Sequence, residues 1–155
     1  MKINALFLLT VILLASCKQK ESPDNSLMKN DEKLSLLGTW ELISRYNYID
    51  NKIADSFGLG EGYRQVKMYT PTKVMWSRMR PADSSEWFGF GSYEINAAQD
   101  SLTEVLDYGS TMMSKIIDEE KEFTFELQLK KNSFIQIEID DEGNRVISEN
   151  YIRID

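Results

Sequence analysis

The sequence predicts an all-β fold, an eight-stranded antiparallel up-and-down barrel, preceded by an N-terminal signal peptide and a flexible tether. Three observations carry that expectation. An apolar run ends at Leu13-Leu14-Ala15-Ser16-Cys17, a polar stretch without apolar period follows to about Lys33, and beyond it apolar residues recur mostly at every second position.

The N-terminal run has the three parts of a secretory signal over residues 1–16. Lys2 is the positive start, an apolar stretch of roughly a dozen residues begins at Ala5, and small residues precede the break. Crossing a bilayer takes about twenty apolar residues, so this run is too short for a permanent span. Leu14-Ala15-Ser16-Cys17 also resembles the lipobox of bacterial lipoproteins; an ordinary signal peptide with an incidental cysteine is the alternative. The resemblance implies cleavage before Cys17, a diacylglyceryl thioether on its sulfur and usually an N-linked acyl chain such as palmitate. One acyl chain holds a membrane marginally, whereas two or three hold it durably. Cys17 is then a lipid attachment point. With Lys18 standing where Asp would favour inner-membrane retention, the sorting pattern of such lipoproteins implies the outer membrane of the cell envelope, facing the periplasm or the cell surface.

Residues 17–35 read as the lipidated cysteine and a disordered tether: KQKESPDNSLMKNDEK is charged and polar and contains a proline. A chain of that length reaches about 20 to 24 Å, enough to hold a domain just off a bilayer. Residues 36–155 are left for one folded domain. Composition closes several functional classes to it. There are 18 basic and 25 acidic residues, a net charge of −7, so the counterion release that drives nucleic-acid binding is not available. The chain has no histidine and one cysteine, which excludes Ser-His-Asp and Cys-His catalysis, histidine-based metal sites and an internal disulfide. No cofactor is expected.

The elements follow in order. GTWELISRYNYI, YRQVKMYT, KVMWSRMR, WFGFGSYEI and SLTEVLDYG read as five strands, joined by NKIADSFGLGEG, PT, PADSSE and NAAQD. FTFEL puts Phe123, Phe125 and Leu127 on one face, and SFIQIEID puts Phe134 and Gln136 opposite Ile135, Ile137 and Ile139. The tight connections LKKNS and DDEGN then lead into RVISENYIRI, the eighth strand. Full closure of eight short strands removes exposed sheet edges, which favours a barrel over a sandwich. STMMSKIIDEEKE is open between a helical turn or lid and plain core packing through Met112, Met113, Ile116 and Ile117, with core packing preferred. GLGEG at residues 58–62 precedes an alternating strand and no helix, so it reads as a flexible loop rather than a phosphate cradle. DDEG lacks the remaining ligands of a calcium loop.

Gly38-Thr39-Trp40, after Leu36 and Leu37, resembles the G-x-W opening of lipocalins. There the tryptophan plugs the closed end and an arginine near the last strand covers it, a place taken here by Arg153. GSYEI, DSLTEVLDY, EFTFELQL, NSFIQI and ENYIRI are similar in order and spacing to the lipocalin-like (calycin) domains of Gram-negative secreted proteins and lipoproteins, over about residues 36 to 155. Two stretches depart from the pattern: EWFGFG is aromatic where relatives tend to be glycine-rich, and Ser110 to Glu122 matches poorly.

Setting Trp40 inward places Leu42, Ser44, Tyr46 and Tyr48 inside, then Val66 and Met68, then Val74, Trp76 and Arg78, then Tyr93, Glu104, Leu106 and Tyr108. Phe123, Phe125, Leu127, Phe134, Gln136, Glu149, Tyr151 and Arg153 complete the inner face. From it the candidate ligand-binding set is Tyr46, Tyr48, Trp76, Arg78, Tyr93, Glu104, Tyr108, Phe125, Gln136 and Tyr151, with Trp40 and Arg153 closing the barrel. The wide end would be lined by Tyr48, Arg78, Trp87, Phe88 and the Met112-Met113 segment. Aromatic walls with a few polar groups suit a small apolar or amphipathic molecule, Arg78 meeting a carboxylate head. The alternatives are a filled barrel that serves a protein partner, and an enzyme built on Glu104 or Glu149 with Tyr108 or Tyr151, the last least favoured because no spacing demands it.

Overall fold

The computed structural model describes residues 34–82 and 84–155; the signal segment, Cys17 and all but the last two tether residues lie outside the described part. Nine strands and one helix follow one another: β1 (Gly38–Ile49), β2 (Lys52–Phe57), β3 (Arg64–Tyr69), β4 (Lys73–Arg80), β5 (Ser85–Ile95), β6 (Ser101–Gly109), α1 (Thr111–Glu119), β7 (Glu122–Leu129), β8 (Ser133–Ile139) and β9 (Arg145–Arg153). Neighbours pair antiparallel in the order β2-β1-β3-β4-β5-β6-β7-β8-β9, and β1 also pairs with β9, which closes the sheet on itself.

β2 is the strand that the sequence reading assigned to a connection. β3 pairs only with Gly38–Glu41 of β1, so the rest of that edge would carry open N–H and C=O groups; β2 takes it, pairing with Arg45–Ile49. β2 and β3 thus share one position, and the barrel has eight. The β1–β2 turn is a two-residue loop, Asp50-Asn51, with φ of 50° and 60°, the left-handed pair that a tight hairpin requires and that Asp and Asn tolerate.

Three one-residue irregularities decide which side chains face inward. β9 pairs with Leu42 and then with Ser44, leaving Ile43 extra, and Asn150 Nδ2 donates to the Ser44 carbonyl across the gap at 3.1 Å. β5 pairs Phe90 with Tyr108 and Gly91 with Leu106, so Asp107 is extra on β6. On β9, Val146 is skipped between the partners of Glu138 and Ile139. Each extra residue inverts the alternation beyond it. Past Ile43 it is Arg45 that turns into the barrel, and Ser44, Tyr46 and Tyr48 do not; past Asp107, Tyr108 turns out. β3 also runs opposite to the expected register: Gln65, Lys67 and Tyr69 are buried, while Val66 and Met68 face outward.

One end is closed by an aromatic plug. Trp40 and Phe134 are fully buried with ring centroids 5.0 Å apart, Phe134 stacks on Tyr151 at 4.6 Å, and the Trp40 indole donates to the Leu36 carbonyl at 2.7 Å. Arg153 lies over the Trp40 ring, 4.1 Å from its centroid, the closure that the lipocalin resemblance implies; it donates to the Leu37 and Ser35 carbonyls at 2.5 and 3.1 Å. Gly38 sits beneath with φ of 120°, where a side chain would be strained and would collide with that guanidinium.

α1 answers the open reading of residues 110–122 with a helix. Ser110 caps it by accepting from the Met113 N–H at 3.4 Å, and Met113 and Ile117, one turn apart, are buried against β5 and β6. Residues Lys33–Asp155 form one compact unit with its own core, and the β1–β9 pairing closes the barrel, so it has what a unit needs to fold alone.

Candidate functional site

At the end away from Trp40 the barrel opens into a cavity of about 670 Å³. Its walls are Trp76, Trp87, Leu106, Met113, Phe123, Phe125 and Ile147; its floor is Gln65, Lys67, Glu104, Gln136 and Glu149; Arg78, Ile116, Glu120, Glu138, Ile139, Asp140 and Asp141 stand toward the mouth. The space comes from β5. Trp87, Gly89 and Gly91 alternate on its inner face, and the two glycines withhold side chains opposite Trp76 and Val74. A Cβ on Gly89 would stand 2.8 Å from the Trp76 ring, so glycine is what lets that indole lie against the wall. Phe88 and Phe90 point outward, packed around Tyr108.

The floor is a closed polar network. Lys67 and Glu104 are each 3 % exposed, with Nζ 2.8 and 3.1 Å from the two carboxylate oxygens and 2.8 Å from Gln136 Oε1. Tyr69 donates to Glu104 at 2.6 Å. Arg45 reaches Glu149 Oε1 at 2.7 Å and Gln65 Oε1 at 2.8 Å, while Glu149 Oε2 accepts from Tyr151, Gln65 and Gln136 at 2.5, 3.0 and 3.2 Å. The buried pair Lys67–Glu104 and the half-buried pair Arg45–Glu149 are thus each neutralised and hydrogen-bonded to neighbouring side chains, which is the condition under which buried ions are tolerated.

The titrations follow this wiring. Burial pushes the Tyr69 phenol well above its ordinary range, and Glu104 adds to the shift; burial and then Glu149 do the same to Tyr151. Burial also disfavours the charged form of Glu149, but Lys67, Arg45 and the bond from Tyr151 outweigh it and hold its carboxyl below the usual value. Both tyrosines are thus held as protonated donors and Glu149 as an acceptor.

Arg78 differs from the floor. Its guanidinium lies over Trp87 at 4.7 Å, its Nε is buried without a hydrogen-bond partner, and no carboxylate of the described residues reaches it in an ion pair. The Tyr63 phenol, raised by burial, feels its charge together with that of Arg45.

Of the ten residues in the candidate ligand set, Trp76, Arg78, Glu104, Phe125 and Gln136 line the cavity. Tyr151 is buried below it, its hydroxyl in the network. Tyr93 stands at the closed end, its ring 4.8 Å from Tyr69 and its hydroxyl on the Thr70 carbonyl. Tyr46, Tyr48 and Tyr108 are corrected: the extra residues Ile43 and Asp107 turn them away from the interior, and Tyr108 is 56 % exposed. Phe88, expected at the wide end, is outward for the alternation given above. Lys67, Gln65, Arg45 and Tyr63 were not anticipated. The only sequence signal for β3 was that Tyr63, Gln65, Lys67 and Tyr69 share a face, two tyrosine hydroxyls beside a lysine and an amide that could satisfy one another. Among the described residues no three carboxylates converge closely enough to hold a metal ion. Neither a protein-family model nor a curated protein matches the chain. The class that fold and cavity define is a closed antiparallel barrel, plugged at one end and hollow at the other.

Proposed function

We propose that the protein is a lipid-anchored lipocalin-like protein of the cell envelope, of the outer membrane by its lipobox flank, that holds one small amphipathic molecule in the open end of its barrel. The observation that carries the reading is the cavity: about 670 Å³ with aromatic walls and one buried donor, Arg78 Nε, that lacks an acceptor. The floor has its hydrogen bonds internally occupied, so the ligand's polar end belongs at the Arg78 level and its apolar body against Trp76, Leu106, Phe123 and Phe125. The same occupancy argues against an acid–base role for Glu104 or Glu149.

Titrating residues 34–155 with an apolar fluorescent probe gives saturable one-to-one binding if the reading holds; a folded domain that binds none overturns it. For the anchor, Cys17→Ala abolishes fatty-acid labelling and releases or traps the protein away from the outer membrane. Unlabelled wild-type protein that still fractionates with membrane removes that part of the proposal.

One observation favours a protein partner as a second reading. Met68, Met75, Phe90 and Tyr108 are successive cross-strand partners on the outer face of β3 to β6, and the two methionines and the tyrosine are 43, 39 and 56 % exposed. Co-purification of an envelope protein, lost on Met75→Lys, is its signature.

A further inference from the structure

The cavity is charged unequally on opposite walls, and that asymmetry narrows the kind of head group it takes. In the closed ring β1, β3, β4, β5, β6, β7, β8, β9, the strands β4 and β8 stand four places apart, facing one another across the interior. On β4, Arg78 points inward near the mouth with its Nε buried and unpaired. On the far side, Glu138 faces in beside Phe125, its Cα partner on β7, and Asp140 and Asp141 follow in the β8–β9 turn; Glu120, just past α1, lines the same cavity. Asp140 is occupied by its own turn, accepting from the Glu142 and Asn144 N–H groups at 3.0 and 2.7 Å. Glu120, Glu138 and Asp141 have no ion pair among the described residues, and the floor's charges pair off as Lys67 with Glu104 and Arg45 with Glu149. What is left unbalanced in the cavity is one cation on one wall and carboxylates on the wall opposite.

We infer that the ligand is a zwitterionic amphiphile, its anionic group on Arg78 and its cationic group toward Glu138 and Asp141, with the apolar chain between the aromatic walls. This rests on the cavity being a binding site. A simple alkyl carboxylate would satisfy Arg78 but sit in the field of the carboxylates; a simple alkyl ammonium would suit them but leave the buried Arg78 Nε without an acceptor. Only a head carrying both charges answers both walls; each singly charged relative meets one wall and forgoes the attraction of the other.

The test uses residues 34–155 and four probes with one alkyl chain and different heads: phosphocholine, carboxylate, ammonium and neutral hydroxyl, each below its micelle-forming concentration. The phosphocholine probe is expected to bind about tenfold tighter than either singly charged one. Glu138→Gln with Asp141→Asn lowers its affinity and raises that of the carboxylate, so the order of those two narrows or inverts. Arg78→Gln weakens phosphocholine and carboxylate and spares ammonium; Arg78→Lys, which keeps the charge, serves if a melting curve shows the first variant unfolded. A carboxylate that binds the natural domain as tightly as phosphocholine overturns the inference, as does an affinity ratio between the two that the acidic substitutions leave unchanged. Saturable binding of the hydroxyl probe with no gain for phosphocholine overturns the head-group assignment while the binding cavity stands. If none of the four probes binds, both fall.

Discussion

Replacing Lys67 by methionine strands a carboxylate in the middle of the barrel. Lys67 Nζ sits 2.8 Å from Glu104 Oε1 and 2.8 Å from Gln136 Oε1, and both members of the ion pair are 3 % exposed, so water cannot take the lysine's place without opening the floor. Breaking one side of such a buried pair costs about 3 to 5 kcal/mol. Against a total stability on the order of 5 to 15 kcal/mol for a domain, that is a large share. The cost belongs to the uncompensated charge rather than to the contact itself. Lys67→Met with Glu104→Gln should therefore recover most of it, because the amide oxygen still accepts from Tyr69 and neither charge of this pair remains. Urea unfolding followed by tryptophan fluorescence measures both variants. A single variant that loses under about 1 kcal/mol, or a double variant as unstable as the single one, would refute the claim that this pair holds the floor together.

Three further outcomes follow from the same geometry. Trp40→Ala removes the fully buried plug and costs about 3 to 5 kcal/mol, whereas Arg153→Ala, whose side chain is 23 % exposed, costs less, on the order of 1 kcal/mol; chemical denaturation ranks them, and equal losses contradict the arrangement. Gly89→Ala puts a Cβ 2.8 Å from the Trp76 ring and pushes the indole into the cavity, so probe binding weakens severalfold while the melting temperature falls only modestly; unchanged binding would show that Trp76 does not shape the site. Stability falls as pH drops below 4.5: the Glu149 carboxyl is held below that value in the folded barrel and regains it on unfolding, so its contribution is present above 4.5 and lost as pH falls through the folded value. Glu149→Gln flattens that part of the pH profile, read from unfolding midpoints across the acid range.

The sequence by itself determined eight of the nine strands. A period of two and turn chemistry at LKKNS and DDEGN were enough for eight strand positions, because side-chain alternation and turn preferences are local properties, and the plug of Trp40 beneath Arg153 was what the lipocalin resemblance of G-x-W with a late arginine implied. β2 escaped notice because KIADSF is exposed throughout and has no apolar face; it forms only because β3 leaves half of the β1 edge open. Which side chains line the cavity was a tertiary decision. An extra residue at Ile43 or Asp107 costs little locally but inverts every facing beyond it, so Arg45 replaces Tyr46 inside and Tyr108 is turned out. On β3 the rule that apolar side chains go inward chose Val66 and Met68, whereas the barrel buries Gln65 and Lys67. A lysine can be buried there only because Glu104 and Gln136, respectively 37 and 69 residues along the chain, arrive to receive it once the sheet has closed.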